Sequence, residues 1–240
     1  MKKILKNLIK KILKNNNWKL EKIVQPRDYN LKAPEEVMLT KIRNSKGILH
    51  VRAHRGSEAP VYEWFGKKVI WIEANPKIFK ALKENLFKYK FQEAFCELLL
   101  DTKDKYYDFF LSNNDGASSS IFQFGQLIVG PNKTWSRTLK MNGKIKLKSN
   151  TLDEFVKSNK IEIKDYNHWI IDVQGSELSF FKGSSNSLKN CQSINVEIST
   201  GEIYKNGSTW LEVKKLLNKE GFTSTKEPDQ DHMDILFIRK

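Results

Sequence analysis

From about Gly47 onward the chain alternates short apolar runs with amphipathic stretches, and that alternation confines it to one broad architecture. "ILHV" (48–51), "KKVIWIE" ending at Glu73, an apolar stretch from about Ala94 to Leu100, "HWIIDV", "SINVEIS" and "DILFIRK" read as strands. Between them lie helix patterns: "SEAPVYEWF", "KIFKALKENLFKY" with Ile78, Phe79, Leu82 and Leu86 on one side, "SELSFFKGSSNSL", and "STWLEVKKLLNKEGF" stopped by Gly221. Strands separated by helices cannot pair as hairpins, so the sequence predicts a mostly parallel, doubly wound α/β sheet with helices on both faces. Pro76 is placed to open a helix, and Thr151 with Glu154 three residues on forms a capping box. Asn142-Gly143 reads as a hairpin turn leading into a strand with one basic face, Lys144, Lys146 and Lys148.

The sequence has fourteen Phe and six Trp in an apolar fraction of 39%, which suits a folded globule, and no apolar run long enough to span a bilayer. Its net charge of +14 comes from lysines spread along the whole chain, read here as a solvated surface in preference to a dedicated polyanion site. Cys96 and Cys191 form no spacing motif and read as reduced thiols of a cytoplasmic protein. Residues 1–17 read as a basic amphipathic helix: Ile4, Leu5, Leu8, Ile9, Ile12 and Leu13 form one stripe, and six lysines lie opposite. Such a helix packs on its own domain or lies on an anionic membrane surface, which residues 1–14 would contact at the inner face. Residues 18–46 form a lead-in segment and residues 47–240 one domain, with no Pro- or Gly-rich linker dividing it.

Two segments carry the signals for chemistry. In doubly wound sheets ligands sit beyond the carboxyl ends of the strands. There the loop "VRAHRGSE" follows the first strand, and Glu73 closes the second about 20 residues later, the spacing of an acid that binds ribose hydroxyls. "IIDVQGSE" places Asp172 and Gln174 where a buried strand emerges, with Glu177 at a helix start, and Glu197 ends the next strand. A half-buried carboxylate has a tunable pKa and can orient or deprotonate a hydroxyl. The same residues also admit a plain reading, with Gly56 allowing close packing and Asp172 and Glu177 capping a helix. "DQDHMD" (229–234) lacks the glycine and distal glutamate of a calcium loop and reads as a solvated hairpin turn.

With "HVRAHRGSEA", "VIWIEANP", "SNNDGASSSI", "TLDEF", "IDVQGSELSFFKGS", "NVEIS", "EIY" and "DILFI" in this order, residues 47–240 resemble the FkbM-type S-adenosylmethionine-dependent methyltransferases. The resemblance implies a seven-stranded class I methyltransferase (Rossmann-like) sheet, S-adenosylmethionine as cofactor, and O-methylation of a sugar or glycoconjugate hydroxyl. It implies that Arg52, Ala53, His54, Gly56 and Glu58 wrap the methionine half, that Glu73 binds the ribose, and that Leu99 and Asp101 border the adenine. Asp172, Gln174, Glu177 and Glu197 would line the acceptor side, with Asp172 orienting or deprotonating the hydroxyl and the Ser118–Ser120 loop closing over it. No metal is called for. The three carboxylates Asp172, Glu177 and Glu197 are also a set that Mg²⁺ could use, although nothing in their spacing selects for it.

Arg52 departs from the family, which has glycine there because the cofactor passes against the backbone. Its charge adds repulsion toward a sulfonium, about 3 kcal/mol for two charges ~6 Å apart at an effective dielectric of ~20, although the guanidinium could instead pair with the cofactor carboxylate. The sequence therefore predicts weakened cofactor binding, tightened by Arg52→Gly. Two alternatives stand beside the enzyme: a methyltransferase-like scaffold that has lost turnover through Arg52, and a nucleic-acid methyltransferase. The latter ranks last because "NPPY" and an appended RNA-binding module are both missing.

Overall fold

The computed structural model describes residues 36–129 and 139–240. The basic helix expected over residues 1–17, and with it the membrane contact, lies outside the described residues. Residues 36–240 form one compact unit. It begins with α1 (Glu36–Asn44), inside the expected lead-in segment, then β1 (Gly47–Val51), α2 (Ala59–Trp64), β2 (Lys68–Ile72), α3 (Pro76–Leu86) and β3 (Gln92–Phe95). After these come β4 (Leu98–Leu99), β5 (Tyr106–Ser112), the short α4 (Gln126–Val129), β6 (Met141–Asn150) and α5 (Leu152–Ser158). The chain closes with β7 (His168–Ile171), α6 (Glu177–Lys182), β8 (Ser193–Ser199), α7 (Trp210–Lys219), β9 (Phe222–Ser224) and β10 (His232–Arg239).

The main sheet has seven strands in the order β3-β2-β1-β7-β8-β10-β9. The first five run parallel, and β10 is antiparallel to both neighbours. Side-chain alternation sends Leu49, Val51, Ile70, Ile72, Trp169 and Ile171 into a core roofed by α5, α6 and α7. Ile48, Val69, Trp71 and Ile170 point the other way, against α1, α2 and α3. The sheet is thus doubly wound as expected. Ile42 of α1 is 3% exposed within that second core, which ties the lead-in helix to the sheet. Among the described residues, no helix is long and apolar enough to cross a membrane.

Several local expectations change. The apolar stretch 94–100 splits: β3 joins the main sheet, whereas β4 pairs with β6 in a second sheet of order β4-β6-β5. Asn142-Gly143 is not a hairpin turn. It lies within β6, opposite a register shift at Leu111/Ser112, because β6 continues past it to pair along β5. Lys144, Lys146 and Lys148 do share the exposed face, with Ile145 and Leu147 packed inward. Half of the box at α5 forms: Thr151 accepts the Glu154 amide, and the Glu154 carboxylate pairs with Lys103 at 3.2 Å instead of reaching back. A full box appears at α7, between Thr209 and Glu212. The last strand begins at His232, not 234, because the ladder with β8 runs to His232↔Ser199.

Candidate active site

Because β1, β2, β3, β7 and β8 are parallel, the loops after them gather on one rim of the sheet. A cleft with about 380 Å³ of empty space, its mouth included, opens there. Val51, Ile72, Leu98, Leu99, Phe109 and Val173 give it apolar walls, with Arg52, Glu97, Ser119 and Ser176 adding polar groups. The second sheet has a role here, since Leu98, Leu99 and Phe109 come from β4 and β5.

The loop after β1 has backbone strain at its first residue. Arg52 has φ +66°, the left-handed region that favours glycine, and its amide donates to Ile72 O at 2.7 Å. Ala53 follows suit at 2.9 Å and is buried beneath the loop. His54, also at positive φ, donates its amide to Glu73 Oε2 at 2.8 Å. The other carboxylate oxygen of Glu73 accepts the Asn75 amide at 2.8 Å. Glu73 thus ties two rim loops together and is 3% exposed. Each oxygen keeps a second lone pair for a further donor. Gly56 lies away from the cleft: a Cβ there would come within 2.8 Å of Leu82 on α3, so it serves close packing. Glu58 takes a hydrogen bond from Ser57 at 2.7 Å and does not line the cleft. Leu99 does, whereas Asp101 is exposed and borders a separate cavity with Ser179, Asn206 and Ser208. His50 is inside β1 and stacks on Trp71 at 4.7 Å in the opposite core.

Beside the cleft the predicted acceptor residues converge. Arg52 reaches over the rim to Asp172, Nη1 to Oδ2 2.8 Å, and its Nη2 donates to Ala117 O. Gln174, held at φ +50°, donates its amide to both Asp172 and Glu197 and accepts the Tyr204 hydroxyl. The other oxygen of Glu197 meets His232 Nε2 at 3.0 Å, and His232 Nδ1 lies 3.0 Å from Ser199 Oγ. The small-residue loop packs onto this group, with Ser120 Oγ donating to Gln174 O at 2.7 Å and Tyr204 donating to Ser118 O at 3.2 Å. Glu177, the first residue of α6, turns back to accept the Gly175 amide at 2.9 Å in the turn before the helix, whose N-cap residue supplies no side-chain cap.

Burial and partners divide the carboxylates. Burial would raise Asp172, yet Arg52 and the Gln174 amide hold it below the usual carboxylate range. Glu197 is raised, by burial first and then by the charge of Asp172, with His232 opposing. Burial lowers His232, but the Glu197 carboxylate outweighs that and lifts it above the ordinary imidazole range. Asp172 is thus biased toward its anion, and Glu197 and His232 toward their protonated forms.

Glu177 is pushed up from 4.5 to about 7, chiefly by burial, against the pull of its backbone donors. An acid raised in the folded state favours folding at low pH, an advantage lost as pH climbs through the folded value. Above pH 7 the ionised form costs about 3 kcal/mol. Glu177→Gln keeps an acceptor for Gly175 and avoids that loss. Thermal melts should match wild type at pH 5 and exceed it at pH 8.5; an advantage independent of pH would refute this origin.

The sequence missed Tyr204 and His232. Tyr204 stood in the "EIY" segment with no chemical signature, and His232 was visible but was assigned to a solvated turn. No group of three or more His, Cys, Asp and Glu side chains among the described residues is placed to hold a metal ion. Asp172 and Glu177 are directed to Arg52 and to the Gly175 amide respectively, so the three carboxylates do not form a Mg²⁺ cage.

The seven-stranded sheet, with five parallel strands and β10 antiparallel, has the strand order of the class I methyltransferase fold, and a cleft opens at its rim. The family model of the methyltransferase FkbM domain matches residues 50–224, and the chain belongs to that family. It is an S-adenosylmethionine-dependent methyltransferase. No curated protein matches it. Solved structures with a similar course include magnesium protoporphyrin IX methyltransferase from Synechocystis PCC 6803 with bound SAH, at 8% identity and TM-score 0.46, covering 85% of this chain and 78% of that one. Another is fibrillarin from Aeropyrum pernix with natively bound S-adenosyl-L-methionine, at 11% identity and TM-score 0.46, covering 82% and 68%. Precorrin-6y C5,15-methyltransferase from Geobacter metallireducens GS-15 aligns at 11% identity and TM-score 0.45, covering 85% and 87%. At this distance they bear on neither substrate nor residue roles.

Proposed function

We propose that this methyltransferase acts on a hydroxyl of a sugar or glycoconjugate, and that Glu197 takes the hydroxyl proton. The observation that carries the reading is the divided carboxylate pair at the rim: Asp172 pinned as an anion, and Glu197 raised and backed by His232. An alkyl hydroxyl is far from ionised at neutral pH, so its transfer benefits from a nearby base. This reassigns the base. Asp172 was expected to fill that role, but a carboxylate stabilised by Arg52 has little affinity for a proton. Asp172 instead anchors and orients.

The cleft suits the nucleoside half of S-adenosylmethionine: apolar walls from Leu98, Leu99 and Phe109 would take the base, and Glu73, which follows β2 at the same rim but does not line the cleft, would reach the ribose. When bound, the cofactor supplies a methyl group already activated on a sulfonium. The protein's part is to align the acceptor oxygen, exclude water and accept its proton. A second, open depression with about 420 Å³ of empty space, its mouth included, lies across the 175–176 turn, with Asp101, Ser179, Asn206 and Ser208 on its walls. Hydroxyl, amide and carboxyl groups in one cavity suit a sugar. Tritiated methyl transfer from S-adenosylmethionine to a panel of glycans and glycosides tests the reading, with transfer to at least one expected. Label transferred only to RNA or protein would overturn it.

A further inference from the structure

The ion pair between Arg52 and Asp172 is half-buried at the rim of the sheet. Arg52 belongs to the loop after β1 and lines the cleft, and Asp172 follows β7, so their contact joins two loops of the rim beside it. The guanidinium is 12% exposed and has two fixed partners, Asp172 Oδ2 at 2.8 Å and Ala117 O in the loop that closes over the site. Its backbone is held in the left-handed region by hydrogen bonds to β2, so a ligand that needs the space Arg52 fills must make the side chain change partners.

We propose that the Arg52–Asp172 pair is a latch whose key is a carboxylate: Arg52 exchanges Asp172 for the α-carboxylate of the cofactor, and Asp172 becomes available to the acceptor only after that exchange. This rests on the cleft being the cofactor site. A guanidinium leaving one carboxylate for another keeps a charge-assisted partner, so the exchange is close to balanced. A ligand without a carboxylate would strand a desolvated guanidinium as it opened the mouth. The latch therefore selects for the complete amino-acid end of the cofactor and imposes an order, cofactor first and acceptor second. It also gives arginine at this position a role that glycine could not fill.

Isothermal titration of the full-length protein with S-adenosylhomocysteine and with 5′-methylthioadenosine, the same nucleoside thioether without the carboxylate, reads the latch directly. Wild type should bind S-adenosylhomocysteine and bind 5′-methylthioadenosine far more weakly. Arg52→Met removes the lock and should tighten 5′-methylthioadenosine by roughly tenfold or more, with little change for S-adenosylhomocysteine, so that the gap narrows. Asp172→Asn frees the guanidinium from the other side and should tighten both. Melting curves establish that each variant is folded. A gap unchanged in folded Arg52→Met overturns the latch but leaves the cofactor site standing. Binding of S-adenosylhomocysteine to Arg52→Met but not to wild type also overturns it, since the lock would then have no key. If S-adenosylhomocysteine binds none of the proteins, the cofactor-site reading fails.

Discussion

Replacing Glu197 by glutamine is expected to lower kcat by roughly 10²–10⁴-fold, the usual contribution of a positioned general base. The acceptor KM should change little, because the amide keeps the volume of the carboxyl group. Glu197 is the one carboxylate here whose proton affinity is raised while it faces both His232 and the Gln174 amide that links it to Asp172. Glutamine cannot accept the hydroxyl proton, and its uncharged carboxamide no longer holds His232 above the imidazole range. The rate of wild type should rise with pH as Glu197 loses its proton, and the variant should be slow and flat across the same range. Steady-state kinetics over pH 5.5–9, with a hydroxyl acceptor identified by methyl transfer, make the comparison. A full rate in the variant would remove Glu197 from the chemistry and return the role of base to Asp172.

Gly183→Ala should produce the largest loss of stability of any single methyl addition considered. Gly183 follows α6, and an added Cβ would lie 1.9 Å from Leu100 O and 2.8 Å from Leu100 C. Both obstacles are backbone. The Gly183 amide donates to Ser179 O and its carbonyl accepts from Asp153, so neither chain can yield without losing hydrogen bonds. Overpacking typically costs about 1–3 kcal/mol, and a backbone-on-backbone clash belongs at or above the upper end. For a unit of this size a 3 kcal/mol loss lowers Tm by roughly 6–12 °C. Leu100 adjoins Leu99, so the variant should also disturb the cleft wall. Gly143→Ala provides the contrast: nothing lies within 4 Å of its added Cβ, and the melting temperature should barely move. Equal melting temperatures for the two variants would show that the 100–183 contact relaxes freely.

Much of this was legible in the chain itself. Strand-and-helix alternation, with Pro76 opening one helix and a capping signal at Thr151, gives the parallel sheet and its two helical layers, because burial of an amphipathic face depends on local spacing. The acids Glu73, Asp172 and Glu197 could be placed on one rim for the same reason, since each ends a parallel strand. The second sheet was not legible. Its strands β4 and β5 look locally like any others, and only pairing with β6 separates them from the main sheet. His232 escaped because a strand's first residue is fixed by how far its partner extends, here to Ser199.

The sequence by itself determined the layered α/β fold, the rim on which chemistry occurs and the unusual arginine at the first loop, since these follow from periodicity and residue type along the chain. The tertiary structure alone decided what each ionisable group does. Asp172 is an anion because Arg52, 120 residues away, lies 2.8 Å from it, and Glu197 is raised because it is buried beside that anion and backed by a histidine from β10. A proton affinity is set by neighbours in space and by the water they exclude, and neither is written in the local order of residues.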